Sequence, residues 1–190
     1  MKLKSLMLGS AVALAALPAL ADEMIRMATS FQIRSMDPVS QGFWMQEFGQ
    51  GELLMKFQPD GSITPWLAES VERTADTTWV ITIREGVTFQ NGKAMDVPAV
   101  LAAIAYHRER NKGTQAVLPA EATFTQSGER EITVETGVPV PEMPSILAHE
   151  SRLMIIDVEP VLAAGEDYEA LEGAGIHTGP YKVADLTDQR

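Results

Sequence analysis

The chain has 190 residues, no cysteine and a formal net charge of −11 at pH 7. That acidity argues against the Lys/Arg patches that nucleic acid and anionic membrane surfaces reward, so no nucleic-acid partner is expected. The missing cysteines exclude disulfides and a thiol nucleophile, and the length suffices for one buried core.

The chain opens on a basic start, Lys2 and Lys4, followed by an apolar, small-residue run over 6–20. Ala19-Leu20-Ala21 then offers a small-x-small cleavage site ahead of Asp22-Glu23. This is the layout of a secretory signal peptide over residues 1–21, and the run is too short and Ala-rich to favour a spanning helix. The competing reading is an uncleaved anchor. Cleavage removes two lysines and no acid, leaving 22–190 more acidic still. Bacterial lipoproteins are tethered through a lipidated cysteine, which this chain lacks, so the expected compartment is a periplasm and not a lipid anchor.

Beyond the leader, 24–29 reads as a strand, and Asp37-Pro38 breaks the backbone because the residue before proline is pushed out of the helical region. Residues 43–54 have helical spacing, 55–58 become extended, and Pro59-Asp60-Gly61 suits a chain reversal. A half-exposed strand over 67–73 and a polar turn over 74–78 lead to a strand over 79–84. There Trp79, Ile81 and Ile83 share one face and Val80, Thr82 and Arg84 the other. Gly86 breaks it and 89–95 is turn-rich. The clearest helix covers 96–111: Asp96 caps it, Pro98 is tolerated in its first turn, and Val97, Val100, Leu101 and Ile104 form a stripe. Arg108, Arg110 and Lys112 suit its C-terminal end, with Gly113 as the expected stop.

A hairpin over 122–126 and 131–136 turns at Ser127-Gly128-Glu129. A proline-rich run over 138–144 then introduces a short helix over 145–149. Residues 153–156 read as a buried strand, 158–164 as a short helix, and 178–186 as a returning strand. No repeat or low-complexity tract interrupts the alternation, which suggests one mixed α/β lobe.

Catalytic sets are missing from this pattern. His107, His149 and His177 form no HxxxH or HExxH spacing, and His107 is expected to cap a helix end among arginines. There is no Gly-x-Ser-x-Gly and no phosphate-cradling glycine loop. The acid pairs Glu129/Glu131, Asp157/Glu159 and Glu166/Asp167 lie in polar stretches, whereas catalytic carboxylates need one desolvated member. The methionines are expected to fill core gaps. No catalytic residue, metal ligand or cofactor is therefore expected.

Two residues are candidates for ligand contact. Clefts in open α/β folds form where loops leave strand ends, as the loop over 30–43 is expected to do. Trp44 would there give a flat apolar wall with one donor, or else pack in the core. Arg152, just before the apolar run over 153–156, suits two-point grip of a carboxylate, or else a surface ion pair with Glu150 or Asp157.

Several motifs carry a resemblance. They are Trp66-Leu67-Ala68-Glu69-Ser70, Trp79 in its alternating strand, Arg84-Glu85-Gly86-Val87-Thr88-Phe89 and Asn91-Gly92. Pro59-Asp60-Gly61 precedes them and Thr178-Gly179-Pro180-Tyr181-Lys182-Val183 follows. Together they resemble the extracytoplasmic solute-binding proteins of ABC importers, in the peptide, opine and nickel group known as family 5. The resemblance runs over about 24–183 and is strong for family, weak for ligand. It implies a mixed α+β N-terminal lobe of a two-lobed periplasmic binding protein fold, incomplete here because family members are much longer. Residues 22–190 are accordingly expected to be a fragment or a truncated frame.

The implied function is capture of peptides for import, with a nickel complex or an opine as alternatives. The implied partners are the solute and ABC permease subunits of the inner membrane, with no enzymatic step. In the nickel-binding branch an arginine near the position of Arg152 contacts the metal's organic chelator. Trp66 and Trp79 are expected to pack the scaffold, with Tyr181 near the crossover between lobes. The rivals are an exported hydrolase using a carboxylate pair, and a sensor or adhesion module on the same fold.

Overall fold

The alternation in the sequence builds its central sheet directly. In the computed structural model, which describes residues 30–183 apart from Ser151, Glu166 and Tyr168, β4 (Thr78–Ile83) buries Trp79, Ile81 and Ile83. The chain divides into units Met1–Phe31 and Gln32–Arg190, and the fold is that of the second. The leader expected over 1–21 and the strand expected over 24–29 lie outside the described residues.

Four antiparallel strands lie in the order β3-β4-β6-β5, with β3 at Ala68–Ala75, β5 at Thr123–Gln126 and β6 at Glu131–Glu135. Trp79 faces Val134 and Ile81 faces Ile132 across the β4–β6 register, so the buried sets share one face. The edge strand β3 carries exposed Glu69, Glu72 and Arg73 and two register shifts, features that discourage edge-to-edge pairing. A separate ribbon, β1 (Met55–Phe57) and β2 (Ile63–Pro65), flanks the Pro59-Asp60-Gly61 turn, where Asp60 Oδ1 accepts from the Ser62 N–H at 2.9 Å. Trp66 is half-buried, with Lys56 Nζ 4.5 Å above its ring.

Before the ribbon, α1 (Pro38–Gln41) is capped by Asp37, and α2 (Phe43–Glu47) is far shorter than the helix expected over 43–54. Its last turn closes at Gly49, whose φ of +68° ends the helix, and Leu53 and Leu54 continue extended and buried. The helix α3 (Val97–Arg110) starts as expected, with Asp96 Oδ1 accepting from Ala99 N–H at 2.9 Å. Its buried face is Val97, Val100, Ala103, Ile104, Tyr106 and His107, while Leu101 is only half-buried. It stops at extended Asn111, not Gly113, because the Asn111 side chain caps the next helix, α4 (Lys112–Gln115).

The helix α5 (Met143–Leu147) begins two residues earlier than expected, since Pro144 fits the first turn where its missing N–H costs nothing. Leu153 to Ile156 are fully buried but join β structure only through a bridge between Glu52 and Ile155. The helix α6 (Val158–Ala164) follows the expected bounds, capped by Asp157, and a 3-10 turn occupies Glu169–Leu171.

Where a strand over 178–186 is expected, the described part is a strap, and 184–186 lie outside the described residues. Gly179 N–H donates to Gln50 O at 2.7 Å and Tyr181 N–H to Gly49 O at 3.2 Å. The Gln90 carboxamide donates to Gly179 O at 2.8 Å and Tyr181 O at 2.7 Å. A Cβ at Gly179 would run into the backbone oxygens of Gly49 and Gln50, which explains the glycine. Two turns that look unrelated in sequence are thus one structural object.

His107, expected to cap a helix end, is a core group instead, and so is His177. His107 and His177 are each 1% exposed, and their Nε2–H groups donate to Met154 O at 3.0 Å and Met36 O at 2.9 Å. A carbonyl can only accept, so Nδ1 is the bare nitrogen, and it has no partner among the described residues. Burial pushes both imidazoles down to about 4, against weaker opposing pulls from the carbonyl and from Asp37. Tyr106 in turn donates its hydroxyl to Asp37 Oδ2 at 3.0 Å.

An unfolded histidine titrates near 6.5, so between about pH 6.5 and 4 the unfolded state takes up protons that the folded state refuses. Stability is therefore full above that window and falls as pH drops through it. At about 1.4 kcal/mol per pH unit, the loss reaches roughly 3 kcal/mol per imidazole, a large share of the ~5–15 kcal/mol of an ordinary domain. Urea midpoints measured from pH 7 to pH 4 should fall steadily, and a profile flat down to pH 5 would rule out this account. In the same assay Gly179→Ala should destabilise by about 2 kcal/mol, because backbone oxygens cannot yield to the added methyl. An unchanged midpoint would mean that the strap does not pack as closely as described.

Candidate functional site

The two candidate contact residues end up in different settings. Trp44, on α2, is 1% exposed and stacks at a tilt on Phe48, with ring centroids 5.8 Å apart. Its indole N–H finds no acceptor among the described residues. Of its two readings, core packing is the one that this burial supports.

Arg152 is different. Its backbone is held on both sides: its N–H donates to His149 O at 3.0 Å, and its carbonyl accepts from Thr114 Oγ1 at 2.5 Å. Its side chain is half-buried, and among the described residues it has no carboxylate within ion-pair distance. The alternative ion pairs with Glu150 or Asp157 do not form. Glu150 faces His149 Nδ1 at 3.7 Å, while Asp157 receives Lys93 Nζ at 2.8 Å and Asn91 Nδ2 at 3.0 Å. Burial alone would raise the Asp157 carboxyl, but the Lys93 and Asn91 hydrogen bonds outweigh it and hold it below the ordinary range. Lys93, paired also with Glu159 at 3.2 Å, is pushed above its usual value chiefly by the Asp157 bond.

Thr114 joins Arg152 to an open depression of about 320 Å³, bordered also by Arg108, Glu109, Gln115, Leu118 and Pro119. The arginines at the end of α3, one of them on this rim, each meet a neighbouring group. Arg108 donates to Ala120 O at 3.0 Å and lies over Phe124, and Arg110 lies over Tyr106 with 5.1 Å to the ring centroid. Arg152 is thus a half-buried cation with no counter-charge among the described residues, and its carbonyl, through Thr114, is tied to the wall of that depression. Such a guanidinium can receive a carboxylate through two parallel N–H···O bonds.

The acid pairs make no comparable site. Glu129 and Glu131 are exposed on the β5–β6 hairpin, Asp157 and Glu159 share Lys93, and Glu166 lies outside the described residues. Among the described residues no three His, Asp or Glu side chains converge to hold a metal ion.

Thr114 and Gln90 carry no motif, and only the fold reveals them. His107 did leave a signal, because 97, 100, 104 and 107 continue one helical stripe.

Three known proteins compare with this lobe. Over 64 residues the chain is 41% identical to a nickel-binding periplasmic protein of Escherichia coli K12, covering 32% of this chain and 12% of that protein. It is 26% identical over 144 residues to the nickel-binding protein NikA of Staphylococcus aureus, covering 76% of this chain and 27% of that one. The crystal structure of that NikA with Ni(L-His)2 superposes at a TM-score of 0.67 with 25% identity, over 81% of this chain and 31% of the other. OppA of Burkholderia pseudomallei shares the fold at a TM-score of 0.61 and 21% identity, over 80% and 33% of the two chains. The chain thus spans about a third or less of the proteins it matches. The model for bacterial extracellular solute-binding proteins, family 5 Middle, matches residues 62–190, and with the strap and the sheet it spans, this chain belongs to that family.

Proposed function

We propose that this chain contributes the N-terminal lobe of a periplasmic substrate-binding component of an ABC importer, exported through the leader over 1–21. The solute sits between this lobe and a second one, and ligand contacts with both stabilise closure. Delivery is to permease subunits in the inner membrane, with no bond chemistry on the solute. The observation that carries the reading is Arg152, a half-buried cation without a counter-charge among the described residues, in a lobe of this family. Trp44 serves as packing that fixes α2.

Within that function we favour nickel carried in an organic chelate. The relatives at 41% and 26% identity are named as nickel-binding proteins, while the likeness to OppA at 21% identity speaks for the fold alone. The metal would arrive with its own ligands, and Arg152 would hold a carboxylate of the chelator. Peptide capture, the first expectation from the sequence, uses the same guanidinium on a terminal carboxylate.

Calorimetry on the protein expressed from its whole gene separates these. Nickel bis-L-histidine should bind and nickel alone should not, and Arg152→Gln should weaken binding about tenfold or more, as for a lost charge-assisted pair. Binding of tri-alanine without binding of the chelate would move the reading to peptides. Binding of neither would sink it.

A further inference from the structure

We infer that Thr114 is a positioning residue for Arg152, a role that rests on the solute reading above. Thr114 is fully buried, and its hydroxyl donates to Arg152 O at 2.5 Å across 38 positions of sequence. Nothing local requires that bond. Thr114 Oγ1 is a single-atom tether between α4 and Arg152, which has no counter-charge among the described residues.

The tether is itself held. Asn111 Oδ1 accepts from Gly113 N–H at 2.9 Å and Thr114 N–H at 3.3 Å, which fixes the first turn of α4. Two residues beyond Arg152, Met154 O accepts from His107 Nε2 at 3.0 Å. The segment is therefore pinned at both carbonyls by side chains from α3 and α4, with the turn bond from Arg152 N–H to His149 O before it. Such double pinning sets the position and rotation of the Cα–Cβ bond of Arg152, and a two-point grip depends on that orientation. Neither pinning side chain touches the solute in this account.

The test is a double-mutant cycle in the protein from its whole gene, titrated with nickel bis-L-histidine and with tri-alanine. Thr114→Val keeps the shape, removes the hydroxyl and leaves Arg152 O unsatisfied. It should weaken binding of whichever probe the wild type takes by about fivefold, the scale of one neutral hydrogen bond. Thr114→Ser should restore affinity to within about twofold of wild type. In the Arg152→Gln background Thr114→Val should add nothing, because the group it positions is gone. Should Thr114→Val fail to fold, Thr114→Ala runs the same cycle.

Unchanged affinity in Thr114→Val beside a weakened Arg152→Gln overturns the positioning role and leaves the solute reading standing. So does an equal loss from Thr114→Val in both backgrounds, which would mark a structural effect independent of Arg152. Unchanged affinity in Arg152→Gln, or no binding of either probe by wild type, overturns the solute reading and this inference together.

Discussion

The Gln90 carboxamide gives both N–H groups to the strap, one to Gly179 O and one to Tyr181 O. Its backbone N–H goes to His177 O at 2.8 Å, and its backbone oxygen takes Lys182 Nζ at 2.6 Å. One residue thus meets four groups on a segment some ninety positions away. On its other side the strap meets Gly49 and Gln50, so the end of α2, the turn before α3 and the strap are held as one layer. Asp157 N–H, bonded to Ile176 O at 2.8 Å, adds the start of α6. The buried run 153–156 lies between these anchors, and Arg152 leads into it. Loosening the strap would therefore reach the segment around Arg152 through the backbone.

Charge is distributed by the same logic. Most acids of this −11 chain are solvated, while the buried ones are satisfied. Asp37 caps α1 and takes the hydroxyls of Ser40 and Tyr106, and Asp157 caps α6 and takes Lys93 and Asn91. A buried charge without partners is costly, so such pairing is what a stable scaffold needs. Arg152, half-buried, has no carboxylate partner among the described residues. The two buried histidines are another cost, one that the fold carries only while they stay neutral. The scaffold that positions Arg152 is consequently at its firmest above about pH 6.5.

Much of the scaffold was legible in the sequence, and the reasons are local. The period-2 faces of β4, the Asp96 cap, the Pro59-Asp60-Gly61 turn and the β5–β6 hairpin each depend on residues within a few positions of one another. The errors came at helix ends and in the strap. Whether 43–54 stays helical is decided by Gly49 turning back beneath Tyr181, and whether 178–183 pairs as a strand is decided by close approach to Gly49 and Gln50.

Of the candidate site, the sequence offered Arg152 as a residue type beside an apolar run, and Trp44 on equal terms with it. It could not show that Trp44 is buried, that Asp157 is already taken by Lys93, or that Thr114 holds Arg152.

By itself, then, the sequence determined the family, the strand faces and the caps, since alternation, turn chemistry and motif order are short-range properties of the chain. The tertiary structure decided which acid takes Lys93, which imidazoles are sealed from water and which hydroxyl reaches Arg152. Those facts depend on groups 38 to 141 positions apart coming within hydrogen-bond distance, and folding alone sets that distance.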